Sequence, residues 1–228
     1  GVQKGEKVAY LSEGRDMWVI GELGVLYAGA VNVPLSIKLE ESNDLVFRVK
    51  HSDSKYVITS KFQLPKIRKI LPECPMVEKI IIFDEIADLQ ENEMYIGDIL
   101  KMGDEFLKSH TLEEFLAVGQ SLVNDDIATI TYTSGTTADP KGVMLSERNI
   151  YAGWESLQRR TPFTNDEVAY CFLPMHHTYG NIYNFHYSLI GSTQLYLCSD
   201  TNKIAEELLE VKPTIFCAVP IIYRRLYE

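Results

Sequence analysis

Residues 131–149 read T-Y-T-S-G-T-T-A-D-P-K-G-V-M-L-S-E-R-N and give the strongest indication of the fold. The apolar run at 127–132 predicts a β-strand, and Ser146 can cap a helix that extends to about Arg160. A strand that leads into small, hydroxyl-bearing residues and one lysine can cradle phosphate oxygens, because the donors converge and the ammonium adds a mobile charge. We therefore predict an anion-binding loop formed by Thr133, Ser134, Gly135, Thr136, Thr137 and Lys141.

Two other interpretations of this loop are weaker. A Walker A loop is excluded, because Lys141 precedes Gly142 and no Ser or Thr follows the lysine directly. An ordinary surface turn would also be rich in Gly, Ser and Thr. Such a turn does not explain why a proline and a lysine follow at once, or why the hydroxyl run contains no acidic side chain.

Short apolar runs alternate with amphipathic stretches along the chain, which is typical of βαβ units. We predict an α/β fold with layers of mostly parallel sheet flanked by helices. We expect a first αβ part at about 1–120 and a second part at 121–228 that carries the loop. The predicted strands lie at 7–11, 31–34, 56–59, 79–83, 127–132, 168–173, 193–198 and 214–219. The predicted helices lie at 16–27, 40–51, 62–71, 96–108, 112–120, 146–160, 181–190, 203–211 and 220–228.

Composition excludes several classes of partner. The formal net charge of -10 argues against non-specific binding to nucleic acid or to anionic membranes, which requires a basic surface. No apolar run in the sequence is long enough to span a bilayer. The four cysteines are far apart and form no C-x-x-C pair, as expected for reduced thiols of a cytoplasmic protein.

A second motif, F-L-P-M-H-H-T-Y-G, occupies residues 172–180 at the end of a predicted strand. Open α/β sheets place their ligand sites at the carboxyl ends of strands. Because adjacent side chains point in different directions, we expect at most one of His176 and His177 to face a site. For an isolated pair, packing or surface exposure is the simpler explanation, and neither histidine has a partner at metal-ligand spacing.

The segment T-S-G-T-T-A-D-P-K-G closely resembles the signature loop of adenylate-forming enzymes, the superfamily of acyl-CoA synthetases, luciferases and peptide-synthetase adenylation domains. The resemblance implies that the loop holds the β- and γ-phosphates of ATP and that Thr133 reaches Mg²⁺. Residues 173–180 resemble the family's next motif, which assigns His177 to the carboxylate end of the substrate tunnel. In this family Lys141 and His177 would be the catalytic residues. The chain departs from the pattern at Ala138, where the family usually has a glycine that takes positive φ freely.

Residues 5–9 and 27–35 look like the opening of a fatty acyl-CoA synthetase. The resemblance implies an ATP-dependent ligase that activates a fatty acid as an acyl-adenylate and transfers it to coenzyme A, with Mg²⁺ as the metal. No residue up to 228 matches the family's later adenine and ribose motifs or its C-terminal domain with a catalytic lysine. We therefore expect a partial N-terminal AMP-binding domain that is inactive alone and can self-associate through uncovered apolar edges.

Two alternatives remain open from the sequence. The first is an adenylating enzyme for another carboxylate, whether aryl, short-chain or amino acid, because the tunnel residues that would decide acyl length are expected to lie partly beyond Glu228. The second is a non-catalytic nucleotide-binding module that keeps the loop without turnover, which Ala138 favours.

Overall fold

The computed structural model describes residues 1–133, 139–198 and 200–227. The chain divides into two compact units. The first contains Gly1–Glu13 and Ile20–Glu147, and the second contains Gly14–Val19 and Arg148–Glu228. Residues 121–147, including both ends of the predicted loop, therefore cluster with the first unit.

The first unit is built on a seven-stranded sheet with the order β5-β4-β3-β1-β2-β6-β7. All neighbouring strands are parallel except β6 and β7, which are antiparallel. The strands are β1 (Lys7–Leu11), β2 (Val31–Pro34), β3 (Ser54–Thr59), β4 (Lys79–Ile82), β5 (Glu93–Tyr95), β6 (Ile127–Thr133) and β7 (Lys141–Ser146). The helices are α1 (Asp16–Tyr27), α2 (Ser42–His51), α3 (Leu64–Ile70), α4 (Ile96–Ser109) and α5 (Leu112–Gln120). The start of α1, up to Val19, clusters with the second unit.

The core of this unit lies between the sheet and helices α2 and α3. Helix α2 buries Leu45, Val46 and Val49, whose spacing of three and four residues places them on one helical face. They pack with buried aliphatic residues of α3 and of strands β1 to β4. Each such side chain contributes about 1.5–3 kcal/mol when it leaves water, so α2 is held firmly against the sheet.

The second unit contains a parallel three-stranded sheet with the order β10-β8-β9. Its strands are β8 (Val168–Cys171), β9 (Gln194–Leu197) and β10 (Ile215–Phe216). Its helices are α6 (Glu147–Arg160), α7 (Tyr187–Ile190), α8 (Ile204–Val211) and α9 (Pro220–Tyr227), and a π-helix at Tyr179–His186 precedes α7. The first residue of α6 clusters with the first unit.

The predicted α/β class with mostly parallel sheet is confirmed, and helix α5 begins as expected. Thr111 accepts a hydrogen bond from the backbone N–H of Glu114, while the Glu114 carboxylate accepts one from the Thr111 N–H.

The sequence prediction missed strands β5 and β7. It also described 181–190 as one helix, where the structure has the π-helix followed by α7. None of the described helices is long and apolar enough to cross a membrane.

An ion pair with one buried partner holds edge strand β5 to helix α3. The side chain of Glu93 is fully buried, and it accepts hydrogen bonds from Arg68 Nε at 2.8 Å and Arg68 Nη2 at 2.7 Å. Arg68 also donates to the Asp88 carboxylate at 2.7 Å. The hydrogen bonds from Arg68 lower the pKa of Glu93 below its ordinary value of 4.5. The pair therefore stabilises the fold above that pH, and its contribution is lost as the pH falls through the lowered pKa.

We predict that Arg68→Met lowers the free energy of unfolding by about 3–5 kcal/mol at neutral pH, because it leaves a buried carboxylate without its cation. The deficit should shrink in acid, where Glu93 takes up a proton in the variant. Thermal unfolding monitored by circular dichroism between pH 3 and pH 8 measures both effects.

Lys101→Met is the matched control, because Lys101 is 76% exposed and its ion pair is with Asp98, three residues away in α4. It should change stability by less than about 0.5 kcal/mol. Equal losses in the two variants would contradict the role given to the buried pair.

Candidate active site

The two ends of the predicted anion-binding loop meet in a β-hairpin. Strands β6 and β7 are antiparallel, and Thr133 lies directly opposite Lys141. Directly opposed residues project from the same face of a sheet. Both residues are exposed. The hairpin therefore presents a hydroxyl and an ammonium group side by side where the strands separate.

Five of the predicted loop residues lie outside the described residues, namely Ser134, Gly135, Thr136, Thr137 and Ala138. The site is therefore built from what flanks them. Lys141 forms no ion pair or side-chain hydrogen bond with any described residue, so its ammonium is available for an anion. A hydroxyl donor beside a lysine suits phosphate, since both groups donate to oxygen and the lysine adds charge.

Gly142, the residue after the lysine, is required by packing. A Cβ added at this position would lie 2.9 Å from Ile130 Cγ2 and 3.6 Å from the Tyr132 ring. Gly142 pairs with Tyr132 across the hairpin, so both face away from the side that carries Lys141. Absence of a side chain at 142 thus leaves room for Ile130, whereas the Tyr132 ring would be at ordinary contact distance from a Cβ there.

Tyr132 also reaches helix α2, a contact that the sequence interpretation missed. Its hydroxyl lies 2.9 Å from His51 Nδ1 and donates to the Arg48 carbonyl oxygen at 3.2 Å. No local pattern could reveal this contact, because 81 residues separate Tyr132 from His51.

His177 belongs to the second unit, in the turn that follows β8. Its backbone N–H donates to the Pro174 carbonyl at 3.0 Å, and its carbonyl accepts from the Asn181 N–H at 2.9 Å. Its Nδ1 accepts a hydrogen bond from the Tyr179 N–H at 3.2 Å. In this bond Nδ1 is the acceptor, which leaves Nε2 as the donor of the ring. The ring of His177 is exposed, whereas His176 is partly buried.

Gly180 closes the same turn. An added Cβ would collide with the Pro174 carbonyl oxygen and approach the Leu173 carbonyl oxygen to 2.9 Å. Backbone atoms cannot move aside as a flexible side chain can, so the motif requires glycine at this position. The π-helix begins one residue earlier, at Tyr179, and π-helical turns are frequent at functional sites.

The cysteines provide no nucleophile at this strand end. Cys171 is the last residue of β8, and burial raises the pKa of its thiol to about 12. A thiol needs its thiolate form to attack a substrate, so Cys171 is inert at neutral pH. All four cysteines are free.

The structure therefore brings Thr133 and Lys141 together on one hairpin and places His177 in the other unit, six residues after the last residue of β8. Within the described ranges, no group of three or more His, Cys, Asp or Glu side chains could hold a metal ion. The donors for an anion in the described part of the candidate site are the Thr133 hydroxyl and the Lys141 ammonium.

The chain matches known proteins along its whole length. A family model described as "AMP-binding enzyme" matches residues 1–228. The protein named "Probable CoA ligase CCL6" from Humulus lupulus is 29% identical over 235 residues, and "Long chain acyl-CoA synthetase 4" from Arabidopsis thaliana is 28% identical over 236 residues. Each alignment covers 100% of this chain and 35% of the relative. The chain thus spans about a third of the length of these curated relatives.

A solved structure has the same fold. The N-terminal domain of FACL13 from Mycobacterium tuberculosis, solved with an inhibitor, superimposes with a TM-score of 0.77 at 22% identity. The match covers 100% of this chain and 53% of that one. The resemblance seen in the loop motif is therefore confirmed by the family match over all residues, and the chain belongs to the family of AMP-binding enzymes.

Proposed function

We propose that the protein is an ATP-dependent acyl-CoA ligase, of which these 228 residues form part of the N-terminal domain. The observation that carries the proposal is the β6–β7 hairpin of an AMP-binding chain, with Thr133 and Lys141 opposed at the start of a hydroxyl-rich loop. The second candidate, a nucleotide-binding module without turnover, is favoured only by Ala138 in place of the family's glycine.

In the proposed first step, a carboxylate oxygen attacks the α-phosphorus of ATP. A bond from that oxygen to phosphorus forms, the bond from the α-phosphorus to the bridging oxygen breaks, and pyrophosphate leaves. A carboxylic acid is already ionised at neutral pH, so the step needs little help from a general base. The task of the protein is to orient ATP and to stabilise the negative charge that builds up on the phosphate oxygens.

Lys141 fits that task. Its exposed ammonium would donate to the β- and γ-phosphates together with the Thr133 hydroxyl, with Ser134, Gly135, Thr136 and Thr137 as further ligands. The Thr133 hydroxyl would be an oxygen ligand for Mg²⁺ bound with ATP, which would supply positive charge near the leaving pyrophosphate. In the second step the coenzyme A thiol gives up its proton to solvent and its sulfur bonds to the acyl carbon, while the bond from that carbon to the phosphate oxygen breaks and AMP leaves.

We further propose a fatty acid as the carboxylate, because one relative is named a long chain acyl-CoA synthetase. An identity of 28% leaves an aryl, short-chain or amino acid as the alternative. His177 would line the carboxylate end of the substrate tunnel, since its ring is exposed at a strand end and its Nε2 carries a proton to donate. The four free thiols suit a cytoplasmic protein.

We predict that Lys141→Ala in the full-length protein lowers kcat/KM for ATP about 5- to 150-fold. This corresponds to a loss of about 1–3 kcal/mol in transition-state stabilisation, the scale of a charge-assisted hydrogen bond. ATP–pyrophosphate exchange with a panel of long-chain, short-chain, aryl and amino acids measures both ATP use and the preferred acid.

Lys101→Ala is the control, since Lys101 is an exposed lysine on α4. ATP use that is unaffected by Lys141→Ala would contradict the phosphate-loop assignment. Exchange driven by amino acids alone would replace the fatty-acid proposal with its alternative, and absence of exchange with every acid would favour the binding module.

The role of His177 can be separated from its part in the turn. Asparagine can accept the Tyr179 N–H as an Asx-turn, so His177→Asn keeps the local hydrogen bond but removes the imidazole. We expect a several-fold rise in KM for the acid with little change in KM for ATP, and a smaller effect from His176→Ala. Steady-state kinetics with both substrates test this, and equal effects of the two substitutions would contradict the choice of His177.

A further inference from the structure

Tyr132 is the residue directly before the first proposed phosphate ligand, Thr133. Its ring is partly buried and pairs across the hairpin with Gly142, where an added Cβ would lie 3.6 Å from the ring. The ring also packs against helix α2, with the His51 ring edge-on at 5.8 Å and the Arg48 guanidinium 5.7 Å from its centroid. Tyr132 thus joins the end of β6 to α2.

The Tyr132 hydroxyl has two hydrogen-bond partners in helix α2, the Arg48 carbonyl oxygen and His51 Nδ1. A hydroxyl has one proton, and here it is donated to the Arg48 carbonyl oxygen at 3.2 Å. In the 2.9 Å contact His51 Nδ1 is donor or acceptor according to the histidine tautomer, and a protonated Nδ1 lets the hydroxyl keep both contacts. Burial raises the pKa of Tyr132 above 10.0, so the hydroxyl keeps its proton at neutral pH.

Helix α2 is a rigid support for this contact. Its apolar face is buried through Leu45, Val46 and Val49. Arg48 and His51 lie in its last turn, and His51 stacks on Phe47 with ring centroids 5.2 Å apart. A strand end that is bonded to such a helix loses freedom of movement before any ligand arrives.

We propose that Tyr132 and His51 are positioning residues for the phosphate loop. They hold the end of β6 so that Thr133 and Lys141 are in place for the triphosphate without a cost of ordering on binding. The inference rests on the proposed function, because it assigns an ATP-specific effect to a contact that does not touch the nucleotide. A purely structural contact would lower stability without distinguishing between ATP and the acid.

Tyr132→Phe tests the inference in the full-length protein, because it removes the hydroxyl and keeps the ring. We expect KM for ATP to rise by about 2- to 12-fold, the range that corresponds to one neutral hydrogen bond, with KM for the acid unchanged. Tyr56→Phe is the control, since Tyr56 lies on β3 of the same sheet and its hydroxyl is 3.5 Å from Glu78. It should leave both constants unchanged.

His51 tests the same bond from the other side. His51→Ala should raise KM for ATP as Tyr132→Phe does. The KM for ATP of the double variant should not exceed that of the more strongly affected single variant. His51→Asn should recover most of the loss, because its side-chain amide can donate to the tyrosine oxygen or accept from the hydroxyl. The comparison of His51→Ala with His51→Asn also tests the inference if the Tyr132→Phe variant does not fold.

The outcomes distinguish the inference from the proposed function. If Lys141→Ala weakens ATP use while Tyr132→Phe and His51→Ala leave KM for ATP unchanged, or raise both Michaelis constants equally, the positioning role is wrong and the phosphate loop stands. If Lys141→Ala has no effect either, both proposals are wrong. An ATP-specific rise that His51→Asn reverses supports the positioning role.

Discussion

The antiparallel pairing of β6 with β7 is the constraint on which the candidate site depends. The remaining pairs in the first sheet are parallel, and parallel neighbours cannot be joined by a short turn. Reversal of the chain at the sheet edge creates the hairpin, and the register sets Thr133 opposite Lys141. A shift of one residue would send Lys141 to the other face of the sheet. The register is supported by Gly142, because a side chain there would meet Ile130.

The strands and helices that the sequence predicted well have strong local signals. Three successive isoleucines predict β4, and the Thr111–Glu114 spacing predicts the start of α5. Strand β7 has no such signal, because it is an edge strand with a glycine and with Val143 and Met144 exposed. Its existence depends on pairing with β6, which no pattern within residues 141–146 reveals.

In the candidate site, too, features with a local sequence signal could be predicted, and features that depend on contacts with distant residues could not. The chemical type of the loop is local, since hydroxyls and a lysine follow a strand within nine residues, 133–141. The supports of the site come from distant parts of the chain. His51 approaches Tyr132 across 81 residues. In the second unit, glycine at 180 is explained only once the Pro174 carbonyl is seen beside it.

The central claim is that the hairpin ends hold the triphosphate of ATP, and a crystal structure of the full-length protein with Mg²⁺ and a non-hydrolysable ATP analogue tests it most directly. The account predicts β- or γ-phosphate oxygens within about 2.7–3.2 Å of Lys141 Nζ, with Thr133 at the same end of the hairpin contacting a phosphate oxygen or the metal. A bound analogue whose triphosphate contacts neither residue would contradict the account.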